Sequence, residues 1–186
     1  MYVHHYLTEL EKYGVILDIQ YHPKKFTLFN GFTRIYDEQL KTKVKQKTES
    51  LLNLAKYTAD FKIIWNKDYF GKIFSLIQGK QKAKGFSFIA NILNDKYVSV
   101  IDVKPEFMNS KNSPQEFSLK QKWVFQRYGI YVQKIVPIST AETCLFASTF
   151  TPKRYYDRYH KKNGSRLSRP YKTLVSINKY LENINK

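Results

Sequence analysis

The segment Tyr97–Val103 (YVSVIDV) constrains this chain more than any other stretch. It is short, β-branched and bounded by Asp95 and Pro105, the signature of a buried strand. Yet Asp102 lies inside it, and Lys104 follows two residues later. At that spacing both side chains leave the same face of a strand. A carboxylate and an ammonium are expensive to bury in apolar surroundings unless they pair or bind something. A fold that keeps this strand central must therefore place a polar site at one end of it.

The flanking patterns predict how the strand is packed. Ser113-Pro114-Gln115-Glu116 reads as a capping box with proline in the first turn. The helix it opens runs to about Tyr128, where Gly129 closes it. Ile130–Val136 reads as a further strand ended by Pro137, so strand, helix and strand suggest a crossover onto one sheet. At the other end, residues 2–13 predict a helix with Tyr6, Leu7 and Leu10 on one side, stopped by Gly14. Val15–Tyr21 and Phe26–Phe29 read as strands, Asn30-Gly31 as a turn, and Tyr57–Trp65 as another strand. The type of Asp37–Lys56 is undecided, as is that of 139–150, and 66–95 reads as an insert. Trp65 and Trp123 are expected in the core, Trp123 because it follows Leu119 by four residues on a helix face. Cys144, the single cysteine, is expected as a buried small hydrophobe. The expectation is an α/β fold with one domain over 1–150 and a basic, Tyr-rich extension over 151–186.

Charge points to the partner. With 42% apolar and 16% aromatic residues the chain can build a core, but it carries 32 Lys+Arg against 15 Asp+Glu, a net +17. A surface this positive attracts polyanions through phosphate contacts and counterion release. Candidate DNA contacts are the run Lys80, Lys82 and Lys84, and the extension's Lys153, Arg154, Arg158, Lys161, Lys162, Arg166 and Arg169. No apolar run approaches the ~20 residues needed to span a bilayer. The four histidines lack metal-ligand spacing, and the seven glycines form no phosphate loop.

The Asp102–Lys104 pair fits metal-dependent phosphodiester chemistry. A carboxylate holds a divalent cation, and a nearby ammonium orients water or balances charge in the transition state. A second carboxylate must reach the same ion, and Asp60, at the start of the preceding strand, is the candidate. Oxygen-only ligands favour Mg²⁺ or Mn²⁺.

Four stretches, in order, carry a resemblance: residues 10–28 (LEKYGVILDIQYHPKKFTL), 57–61 (YTADF), 98–104 (VSVIDVK) and 117–122 (FSLKQK). Together they resemble the small phage nucleases of the PD-(D/E)XK superfamily, often described as Holliday junction resolvase-like, over roughly residues 7–136. The resemblance implies a restriction-endonuclease-like mixed sheet flanked by helices. It assigns metal binding to Asp60 and Asp102, catalysis to Lys104, and a supporting role to Lys120 or Gln121. Family members usually carry a glutamate on the first helix; Glu9 and Glu11 fall on a different turn, and the expected place is at or before Met1. The gap between Asp60 and Asp102 is also longer than usual.

Two functions follow. One is a Mg²⁺-dependent endonuclease acting on phage DNA, with branched DNA as a candidate substrate, in the host cytoplasm and working as a homo-oligomer. The other is a catalytically silent nuclease fold without cofactor, built into a virion as a head–tail connector or portal-associated ring subunit.

Overall fold

In the computed structural model, residues 2–79, 86–105, 115–138, 144–155 and 175–185 are described. The first helix, α1 (Tyr2–Lys12), buries Val3, Tyr6, Leu7 and Leu10, a stripe at helical spacing. Gly14 ends it at φ +70°, and nothing would obstruct a Cβ there, so the backbone angle alone asks for glycine. The stripe lies on a mixed sheet. In it β1 (Ile16–Tyr21) pairs antiparallel with β6 (Phe61–Trp65), and β6 pairs antiparallel with β9 (Lys96–Val103). Beyond β9, a two-residue hairpin turn at Asn94-Asp95, both at positive φ, returns the chain from β8 (Phe88–Leu93). The short β7 (Phe74–Leu76) lies parallel to β8.

Strand β10 (Val132–Ile135) also pairs with β9, in parallel. Two strands therefore share one edge of β9 end to end: β8 takes residues 96–98 and β10 takes 100–103. Side chains stitch the gap between them. Asn91 donates to the carbonyls of Val98 and Tyr131 and accepts the Tyr131 N–H, and Gln133 accepts the Ile89 N–H and donates to the Ser87 carbonyl. Residues 88–95 are thus part of the central sheet, a correction to their reading as insert.

Both faces of β9 are covered, so every residue from Val98 to Asp102 is buried, as its continuous apolar run requires. On one face Ile101, Phe61, Ile63 and Trp65 meet α1, with Phe146 from the short α3 (Leu145–Ser148) and Phe150. Cys144 is buried beside them. Ser99 is tolerated in this core because its hydroxyl accepts the Trp65 indole N–H and donates to the Ile89 carbonyl, both at 2.8 Å. Tyr155, and Ile177 of α4 (Ile177–Ile184), close the same side.

The other face carries Val98 and Val100 with Tyr57, Ala59, Leu28, Val132 and Val124. Val124 belongs to α2 (Gln115–Tyr128), which connects β9 to its parallel neighbour β10. The expected core position of Trp123 is corrected here. Trp123 is 41% exposed and Leu119 is exposed too, because the face α2 turns to the sheet runs through Phe117, Gln121 and Val124 instead. Trp65, by contrast, is buried. Gly129 caps α2 at φ +66°.

The undecided stretch after Asn30-Gly31 is a β-ribbon of its own. Strands β3 (Phe32–Gln39) and β4 (Val44–Leu52) pair only with each other, while β2 (Phe26–Phe29) pairs with β5 (Ala55–Tyr57) at the ribbon's root. No helix among the described residues is long and apolar enough to cross a membrane.

Candidate functional site

The site is built by strand register. In the β6–β9 ladder Phe61 faces Ile101 and Lys62 faces Val100, so the next position along sets Asp60 against Asp102. Asp60 sits one residue before β6 and is held from three directions. Its N–H donates to the Ile101 carbonyl at 3.1 Å, its carbonyl accepts from His22 at 2.9 Å, and its Oδ2 accepts the Val103 N–H at 2.7 Å. The Asp102 carboxyl group is thereby a neighbour of Asp60 and one of the causes that raise it.

Asp102 is 3% exposed, and both its oxygens are engaged. Oδ1 pairs with the Lys104 ammonium at 2.6 Å, and Oδ2 accepts from the Tyr57 hydroxyl at 2.6 Å. Lys104 continues the strand, its N–H bonded to the Ile135 carbonyl, and its ammonium lies 5.7 Å from the Phe117 ring centre. The expected trio of Asp60, Asp102 and Lys104 is therefore gathered at one end of the sheet, on the α2 side. Lys134, opposite Asp102 in β10, shares that face.

Tyr57 was not anticipated as a site residue. A buried carboxylate needs donors, and a tyrosine three residues before the candidate Asp60 was the available signal. Its hydroxyl is held well above the ordinary tyrosine range, chiefly by burial and then by its bond to Asp102. It stays a neutral donor at every working pH.

Asp60 is raised above its ordinary 3.8. Burial is the main cause, the Val103 N–H opposes it, the neighbouring Asp102 adds to it, and Lys104 opposes it. A half-buried carboxyl group beside a second one ionises at a cost, so Asp60 favours its proton or a nearby cation. Because the folded chain holds the Asp60 proton more tightly than the unfolded chain, stability should fall as pH rises from about 3.8 through the raised folded value. Asp60→Asn keeps the Val103 acceptor, supplies an N–H toward Asp102, and should flatten that slope. Urea unfolding of both proteins across acidic and neutral pH measures it; an unchanged slope in the variant rejects the assignment.

Lys120 and Gln121 belong to α2, the helix whose Phe117 lies near Lys104. Lys120 forms an ion pair with Glu116, whose carboxyl is held below its ordinary range by Lys120 and, more weakly, by Lys104. Gln121 donates to the Val132 carbonyl at 2.6 Å. Glu9 accepts the Lys153 backbone N–H at 2.6 Å, which commits it to the α1 side of the sheet. Arg154 reaches His5 on the same α1 side, 3.1 Å between Nη1 and Nε2. Lys153 and Arg154 thus stand across the sheet from Asp102. Lys80, Lys82, Lys84, Arg158, Lys161, Lys162, Arg166 and Arg169 lie outside the described residues.

Among the described residues no group of three or more His, Cys, Asp or Glu side chains is gathered to hold a metal. What Asp60 and Asp102 offer is a two-carboxylate, oxygen-only pair. Such a pair suits a hard divalent cation that takes its remaining ligands from water and phosphate. Comparison with known proteins finds no matching family model, no similar curated protein and no similar solved structure.

Proposed function

We propose that this chain is a DNA-binding protein of PD-(D/E)XK nuclease type that hydrolyses phosphodiester bonds with Mg²⁺ or Mn²⁺ at Asp60 and Asp102. The observation that carries the reading is the strand register that sets Asp60 against Asp102, two carboxyl groups far apart in sequence, with a lysine ammonium 2.6 Å from Asp102. The elements of the mixed sheet support it: α1, the antiparallel strands β1, β6 and β9 with β2–β5 and β7–β8 between them, then α2 and a strand parallel to β9. We read these as a restriction-endonuclease-like core carrying insertions.

Each residue has a definite task in this reading. Asp60 and Asp102 would hold the ion, which supplies charge neutralisation at the scissile phosphate and a more acidic water. The Val103 N–H holds the Asp60 carboxyl group and the Tyr57 hydroxyl holds that of Asp102. Lys104 shifts from Asp102 to a phosphate oxygen or to the attacking water, where its charge offsets the negative charge that develops in the transition state. Lys120 and Lys134 add positive charge around the same end of the sheet. The net +17 supplies attraction to the backbone independent of base sequence.

A second reading has its own support. Both Asp102 oxygens already have partners in Lys104 and Tyr57, so the cluster is satisfied without an ion, as in a silent nuclease fold used as a virion subunit. Incubation with supercoiled plasmid and a four-way junction separates the two. Nicking that requires Mg²⁺ or Mn²⁺ and stops with a chelator is expected. DNA that is bound but intact in both metals would leave the silent reading standing.

A further inference from the structure

From the shape and charge of the β3–β4 ribbon we infer that it is a DNA-grasping arm, inserted into a duplex groove beside the Asp60–Asp102 site. The inference rests on the DNA part of the proposed function and not on cleavage.

The ribbon has no core of its own. Apart from Glu38 and Lys47, which are half-buried against each other, its residues are exposed on both faces. An isolated two-stranded hairpin is marginal in water, so this one is built to meet something. Its eight paired positions reach ~25 Å, and the major groove, ~12 Å wide, admits a two-stranded ribbon. The root is fixed where Gly31, at φ +83°, passes the Leu52 carbonyl so closely that a Cβ would lie 3.1 Å from it. From that root, β5 leads directly to Tyr57, the donor to Asp102. An arm anchored there delivers whatever it holds to the carboxyl pair.

Chemistry favours nucleic acid as the occupant. Along the shaft, Arg34 pairs with Glu49 at 2.8 Å and Lys47 with Glu38 at 2.7 Å, so those charges are internally balanced. At the tip the balance ends. Lys41, Lys43 and Lys45 are exposed within five residues and have no carboxylate among the described ion pairs. Three exposed lysines outside the described ion pairs, with Lys45 opposite a Glu38 already paired to Lys47, suit phosphates on either side of a groove. The register puts Thr33, Gln39, Gln46 and Thr48 on one face, with Asp37 as the charge there. Glutamine and hydroxyl side chains are the types that bond base edges. The exposed Ile35 and Val44 on that face suit thymine methyl groups.

The test uses the full chain and a short duplex, read by fluorescence anisotropy over a salt series. The triple variant Lys41→Ala/Lys43→Ala/Lys45→Ala should bind ~10-fold or more weakly at low salt, and its salt slope should shrink by up to ~2.7. All three positions are exposed, so the unfolding midpoint should not move. Wild-type affinity and slope in the variant would overturn the arm, and so would a wild-type chain that does not bind duplex at all. If the ribbon instead joined two copies, Ile35→Lys would dissociate a concentration-dependent dimer in sedimentation while leaving DNA affinity untouched, which also overturns it. Loss of binding in the triple variant of a chain that never cuts would uphold the arm and remove the nuclease.

Discussion

Asp102→Asn should reduce DNA cleavage by ~10²-fold or more while leaving duplex affinity near that of the wild type. The substitution keeps the shape of the side chain and an oxygen for the Tyr57 hydroxyl. It removes the negative charge that Lys104 neutralises at 2.6 Å and that a cation would need. With that oxygen on Tyr57, the amide N–H₂ is turned toward the Lys104 ammonium, so two donors face each other. Affinity should survive because Asp102 is buried and contributes no phosphate contact of its own. The readout is a nicking rate on supercoiled plasmid beside an anisotropy titration of the same preparations. Cleavage at the wild-type rate by the variant would clear Asp102 of catalysis. A variant that has lost both cleavage and affinity would point to a damaged fold, which far-ultraviolet circular dichroism and the unfolding midpoint would reveal.

Trp65→Ala should cost about 3–5 kcal/mol of stability, a large share of the roughly 5–15 kcal/mol that holds a domain folded. Trp65 ends β6 with its ring buried between Phe74, centroids 5.4 Å apart, and Phe88, 4.9 Å apart. Its indole N–H is the donor that lets Ser99 sit inside the central strand. Truncation leaves a large void against rings that cannot all collapse into it, and it leaves the Ser99 oxygen one partner short. Trp65→Phe keeps most of the ring and loses only the bond to Ser99, so it should cost about 1 kcal/mol for that bond plus a smaller void. Urea unfolding of the three proteins gives the ranking, and a Trp65→Ala chain as stable as Trp65→Phe would refute this account of the core. Trp65 faces α1 and the carboxyl pair faces α2, so molecules of either variant that remain folded should bind DNA normally.

Much of the frame was legible in the residues because it rests on local signals. The stripe of α1 and its stop at Gly14, the run YVSVIDV, and the close of α2 at Gly129 each depend on a few neighbouring residues. The structure places those elements within a residue or two of expectation. Trp123 misled for the same reason: a four-residue spacing from Leu119 says that two residues share a helix face, not which face meets the sheet. The ribbon gave no clear pattern because neither of its faces is buried, and alternation is visible only where one face is dry. Tyr57 had no local mark of its role either, since its partner lies 45 positions away in the chain.

By itself, then, the sequence determined that a central apolar strand would carry Asp102 and Lys104 out of one face, since side-chain alternation follows from the extended backbone. Only the tertiary structure decided that Asp60 stands against Asp102, that Tyr57 holds it, and that β8 and β10 divide one edge of β9 between them. These depend on register between segments distant along the chain. That register is chosen by which faces both strands can bury at once, and no single segment contains that information.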